Sequence, residues 1–172
     1  MLCNAGHDVT VWSAIEAEVD SLSSTRRHPN LPGIELPDQL RYTKDIADAC
    51  TGTDILVFAT PSVYIRSTAG KAAPYIADGQ IIVDVAKGIE AETLYTMTEI
   101  IADEIQNPTV RLVALSGPTH AEEVVKDLPT AIISASDDVA AAETVQKVFT
   151  TGRMRAYTND DIHGEELCGA LK

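Results

Sequence analysis

Asp54-Ile-Leu-Val-Phe-Ala59, Gln80-Ile-Ile-Val-Asp-Val-Ala86 and Val110-Arg-Leu-Val-Ala-Leu115 decide the fold. Each run is short and apolar on nearly every residue, so each reads as a strand buried on both faces. Turn residues close each one: Thr60-Pro61-Ser62, Lys87-Gly88 and Ser116-Gly117-Pro118. Amphipathic stretches over 63–76, 92–105 and 119–126 lie after them and read as helices, the first interrupted near Gly70 and Pro74. Apolar strands alternating with helices predict an α/β doubly wound sheet, mostly parallel and covered on both sides.

The pattern continues outward. Residues 8–12 read as a strand and 14–23 as a helix, with Ile15, Val19 and Leu22 on one face. Residues 26–38 carry Pro29, Pro32, Gly33 and Pro37 and read as a loop. A short helix over 45–50 follows. Past the central strands come strands over 130–135 and 154–157, and helices over 139–149 and 160–172. No repeat, low-complexity tract or long linker divides residues 1–172.

Composition excludes several classes. Hydrophobic residues make up 45% of 172, which excludes wholesale disorder. Twenty-six acidic and 13 basic residues give a net charge of -13, a poor match to nucleic acid or an anionic membrane surface. A local basic cleft for a small anion stays open. Cys3, Cys50 and Cys168 are dispersed, without metal-ligand spacing, so reduced thiols, no metal and a cytoplasmic location are expected. No apolar run approaches a membrane span, and Met1 to Gly6 lack the basic and apolar regions expected of a signal peptide.

The opening Asn4-Ala5-Gly6-His7 reads as the end of a helix capped by Gly6. No G-x-G-x-x-G occurs in the sequence. Either this is not a dinucleotide fold, or its first βα unit is missing.

Ligands of doubly wound sheets bind beyond the carboxyl ends of the strands. That rule picks out Trp12-Ser13-Ala14, where a dinucleotide's adenosine ribose would lie and where no acid excludes a 2′-phosphate. It picks out Pro61 and Tyr64, a helix start and a ring that can pack on a flat ligand. It picks out Lys87, a fixed cation for a phosphate or carbonyl. It also picks out Gly117-Pro118-Thr119-His120-Ala121-Glu122, where Thr119 and Glu122 fit a capping box. In the last helix, Glu165, Cys168 and Lys172 share a face, and Gly164, Gly169 and Ala170 permit close packing. Each place also has a plain structural reading as a strand end, a cap or a solvated lysine.

Taken in order, Asn4 to Trp12, Leu31 to Pro37, Thr60-Pro-Ser62, Ala86-Lys-Gly88, Leu115-Ser-Gly-Pro-Thr-His-Ala-Glu-Glu-Val124, Leu128-Pro-Thr-Ala131 and Gly164-Glu-Glu-Leu-Cys-Gly-Ala-Leu-Lys172 resemble the bacterial NAD(P)-dependent glycerol-3-phosphate dehydrogenase family. The resemblance implies a Rossmann domain with NAD or NADP as cofactor. It implies interconversion of dihydroxyacetone phosphate and sn-glycerol 3-phosphate for glycerophospholipid synthesis. It implies Lys172 as proton donor and acceptor, and Lys87 in contact with substrate and cofactor. Gly117, Thr119 and Lys172 would touch substrate, while Ser13, Pro61, Tyr64 and Ala121 would lie on the cofactor. Ala14 stands where other members often carry His, Arg or Phe.

The departures lie at the ends. The family's first strand and glycine-rich loop would precede Met1, and its helical domain would follow Lys172. The sequence therefore reads as a domain fragment. Little or no activity is expected of it alone, and its open sheet is expected to favour aggregation or a homodimer. A hydroxyacid or ketopantoate-type dehydrogenase, or a non-catalytic nucleotide-binding module, would share the architecture.

Overall fold

The computed structural model describes residues 1–171 without His120 and Asp127, and without the side chain of Glu122; Lys172 also lies outside the described residues. Seven strands and seven helices alternate among them. They are β1 (Thr10–Trp12), α1 (Glu16–Thr25), β2 (Arg41–Thr43), α2 (Ile46–Cys50), β3 (Ile55–Phe58), α3 (Ile65–Ala72), β4 (Ile81–Asp84), α4 (Met97–Ile105), β5 (Arg111–Ser116), α5 (Ala121–Val125), β6 (Thr130–Ala135), α6 (Val139–Phe149), β7 (Met154–Asn159) and α7 (Ile162–Ala170).

The five-stranded sheet has the order β3-β4-β5-β6-β7. β3, β4 and β5 are parallel, β6 is antiparallel to β5, and β7 is parallel to β6. The alternation of side chains in β4 shows why an unbroken apolar run is needed. Ile82 packs with Ile65, Ala69, Met97, Ile100 and Ile101 from α3 and α4. Its neighbours Ile81 and Val83 face Ala141, Val145 and Phe149 of α6. Each such side chain contributes about 1.5–3 kcal/mol by leaving water.

β1 and β2 form a separate, parallel two-stranded sheet. Among the described residues, β1 and β3 each pair on one side only. That leaves Ile55, Leu56 and Val57 of β3 only partly buried, although they are as apolar as β4. The sequence reading missed β2, which is three residues long and too short to show a period of two. Its register comes from β1, and from Arg26, whose guanidinium donates to the carbonyls of Pro37 and Leu40 and lies 5.9 Å over the Tyr42 ring.

Other expectations need correction. Ile15 is 63% exposed, because it caps α1 rather than joining Val19 and Leu22 in the core. α3 runs through Gly70 and gives way to a 3-10 turn over Ala73–Tyr75. Pro74, which lacks an N–H, marks that change. α4 begins at Met97, not at 92. Residues 89–96 instead fold into a turn bridged between Ile89 and Thr96, and the Glu99 carboxylate accepts the Thr96 N–H at 2.8 Å. At the start of the chain, a 3-10 turn over Cys3–Ala5 ends at Gly6, with φ of 91°, as read from the sequence. No helix among the described residues is long and apolar enough to cross a membrane.

Candidate functional site

The turns after β3, β4 and β5 meet at one end of the sheet. A Cβ on Gly88 would lie 2.9 Å from the Ser62 Cβ, so the Lys87-Gly88 turn sits directly on the Thr60-Pro61-Ser62 turn. A Cβ on Gly117 would lie 2.8 Å from the Ala131 carbonyl and 3.1 Å from Ile132. Only glycine lets this turn press against β6. The Lys87 ammonium closes the gap by donating to the Gly117 carbonyl at 2.8 Å. Thr119 folds back on the same carbonyl through its N–H at 2.9 Å.

α7 completes the cluster. Because β6 reverses direction, the helix after β7 runs back along β5 toward the same end of the sheet. A Cβ on Gly169 would lie 3.0 Å from the Ser116 Oγ and 3.9 Å from the Lys87 Cγ. Four segments that are distant in sequence thus surround one exposed lysine. In a chain of net charge -13, this places positive charge in one crevice. The Thr60 hydroxyl, in the turn beside it, is buried without a hydrogen-bond partner.

The structure brings Lys87, Gly117 and Thr119 together. Pro61 opens a 3-10 turn over Ser62–Tyr64, and Tyr64 is 59% exposed. Ala121 is the exposed first residue of α5. His120 and Lys172 lie outside the described residues, as does the Glu122 side chain. Ser13 stands apart, just after β1 of the two-stranded sheet. Its hydroxyl donates to the Glu18 carboxylate at 2.5 Å and accepts the Ile15 N–H. Glu18 also lies 3.4 Å from the His28 Nε2. The first turn of α1 thus places a carboxylate beside Ser13.

Sequence reasoning also missed two buried acids. Glu166, not Glu165, faces inward, and it is 8% exposed. Its carboxylate accepts the Thr98 N–H at 2.8 Å and the Thr98 hydroxyl at 2.5 Å. Asp84 is 2% exposed, and its Oδ1 has no partner. Burial pushes its carboxyl up to about 8, and the charge of Glu166 adds to the rise. The available signal was an aspartate inside the otherwise apolar run Ile81 to Val85.

A surface clamp fixes the Lys87 turn from the other side. The Arg66 guanidinium donates to both Glu90 oxygens, at 2.8 and 2.7 Å, and to Asp103 and Glu104, at 2.6 Å each. The Arg66 hydrogen bonds hold the Glu90 carboxyl down to about 2. A depressed carboxyl stabilises the fold above its ordinary value and loses that contribution as pH falls through the folded one. Acidification from about pH 4.5 toward 2 is expected to loosen residues 88–96. Glu90→Gln is expected to loosen them already at neutral pH. Amide hydrogen exchange over 88–96 checks both, and unchanged protection in Glu90→Gln would refute the clamp.

A family model described as "NAD-dependent glycerol-3-phosphate dehydrogenase N-terminus" matches residues 1–142. The chain belongs to that family. It is 61% identical over 176 residues to glycerol-3-phosphate dehydrogenase [NAD(P)+] 2 of Lactobacillus delbrueckii subsp. bulgaricus, covering 100% of this chain and 52% of that protein. It is 44% identical to glycerol-3-phosphate dehydrogenase [NAD(P)+] of Agathobacter rectalis, covering 100% of this chain and 51% of that one. The crystal structure of glycerol-3-phosphate dehydrogenase from Coxiella burnetii superposes with a TM-score of 0.90 at 28% identity, over 98% of this chain and 51% of that chain. The chain thus spans about half the length of the glycerol-3-phosphate dehydrogenases it matches. Family membership bears out the resemblance carried by the ordered motifs.

Proposed function

We propose that the chain is the cofactor-binding half of an oxidoreductase that interconverts dihydroxyacetone phosphate and sn-glycerol 3-phosphate with NAD(H) or NADP(H), in the cytoplasm and for glycerophospholipid synthesis. The observation that carries the reading is the meeting of Lys87, Gly117, Thr119 and Gly169 at the carboxyl ends of β4 and β5. This is where a doubly wound sheet binds its ligands.

The residues fit the two ends of a dinucleotide. Lys87 and the unpartnered Thr60 hydroxyl offer a cation and a polar contact at the crevice. Ser13 and Glu18 offer hydrogen-bonding groups after β1. A glycine-rich pyrophosphate cradle is not among the 172 residues. The bound cofactor would supply a hydride to the substrate's C2 carbonyl. Lys87 would hold the negative charge of the phosphate or of the forming alkoxide, releasing the Gly117 carbonyl as it does so. Lys172 would deliver the proton to the C2 oxygen. Thr119 and Gly117 would orient the substrate, and Pro61, Tyr64 and Ala121 would line the cofactor.

The carboxylate beside Ser13 disfavours a 2′-phosphate. NADH is therefore expected to bind more tightly than NADPH.

The test compares this chain with the protein at the full length of its relatives. The longer protein is expected to oxidise NADH with dihydroxyacetone phosphate, and the 172-residue chain is expected not to. A full-length protein inert toward this substrate would overturn the reading. Robust turnover by the 172-residue chain would overturn its assignment as one half of a site.

A further inference from the structure

We propose that Glu166 is a positioning residue, which anchors α7 on the first turn of α4 and thereby holds Lys87 in register with the turn after β5. The proposal rests on the functional reading above only for what Lys87 does.

Geometry carries it. Both carboxylate oxygens of Glu166 are used, and both go to Thr98, 68 residues away in the chain. Thr98 is 4% exposed and lies in the first turn of α4. Helix N-terminal N–H groups favour an anion there. The contact is therefore a fixed, two-point joint between two helices, shielded from water.

Three residues further along α7 lies Gly169. That step is about 4.5 Å along a helix, less than one turn, so movement at Glu166 passes to Gly169 with little loss. Gly169 faces Ser116 and the Lys87 stem: a Cβ built there would lie 3.0 Å from the Ser116 Oγ and 3.9 Å from the Lys87 Cγ. Lys87 thus has α7 alongside its stem and is held at its tip by the Gly117 carbonyl. Asp84 faces Glu166 from the end of β4, three residues before Lys87, and burial keeps it protonated at neutral pH. The negative charge of Glu166 is therefore answered by the start of α4.

A bond that served only the fold would leave Lys87 unchanged in any variant that stays folded. The test reads Lys87 directly. In the full-length protein, each lysine is acetylated with limiting reagent and quantified by mass spectrometry, with exposed Lys71 and Lys147 as internal references. Glu166→Gln weakens both bonds, and Thr98→Val removes only the hydroxyl bond. The second variant carries the test if the first does not fold, as judged by circular dichroism.

Both variants are expected to raise Lys87 acetylation several-fold relative to the references. The same variants should lower kcat with dihydroxyacetone phosphate on the order of 10- to 100-fold, with cofactor KM unchanged within about 2-fold. Glu166→Gln should retain more activity than Glu166→Ala, because its oxygen can still accept the Thr98 N–H. Unchanged Lys87 reactivity in folded variants would overturn the proposal. Increased Lys87 reactivity in a full-length protein inert toward dihydroxyacetone phosphate would support the positioning role and overturn the functional reading alone.

Discussion

Replacing Lys172 by alanine in the full-length protein is expected to lower kcat by about 10²–10⁴, the usual worth of a positioned general acid. The effect should fall on kcat because the proton is needed only as the carbonyl oxygen gains charge. NADH affinity, measured by titration without substrate, should change little. The expectation comes from the Gly164-Glu-Glu-Leu-Cys-Gly-Ala-Leu-Lys172 motif and from what the structure shows just before it. α7 ends at Ala170, and a Cβ built on Gly169 would lie 3.9 Å from the Lys87 Cγ, so the last turn of the helix passes beside the candidate cation. Unchanged kcat in Lys172→Ala would remove the lysine from the chemistry.

Asp84 gives the second large effect, on stability. Its carboxyl ordinarily titrates at 3.8, and burial pushes it up to about 8 in the fold. Between those values the native state holds a proton that the unfolded chain releases. Stability contributed at this site is therefore full below the ordinary value, and it falls as pH rises through the window. The loss is on the order of 5 kcal/mol across that range. Asp84→Asn keeps the shape and neutrality of the protonated acid and cannot ionise. It is expected to be more stable than the parent near pH 7.5, and to match it more closely near pH 4.5. Urea unfolding of both proteins at the two pH values checks this. Parallel losses of stability with pH would assign the slope to other groups.

Much of the fold was legible because β3, β4 and β5 declare themselves. Runs such as Ile81-Ile82-Val83 have no polar face, and only a sheet covered on both sides buries them. What the sequence could not show was pairing. Nothing in Thr130 to Ala135 reveals that β6 turns against β5, since apolar strands read alike in either direction. The crevice followed the same division. Lys87, Gly117 and Thr119 were readable as residues beyond strand ends. The Glu166–Thr98 joint was not, because it spans 68 residues and depends on where α7 lies. Glu18 was hidden for a related reason: it reaches Ser13 through the first turn of α1, five residues along the chain.

The reversal at β6 also orders events during synthesis. The Lys87 turn leaves the ribosome long before α7 does. Helices α3 and α4 can close on β3 and β4 from contacts nearby in the chain, which form quickly. The crevice cannot, because one of its walls is α7, which emerges well after the Lys87 turn. A nascent chain that stops short of residue 162 would lack the α7 wall of the crevice and the carboxylate that accepts the Thr98 N–H. Assembly of this crevice thus reports that translation has passed α7.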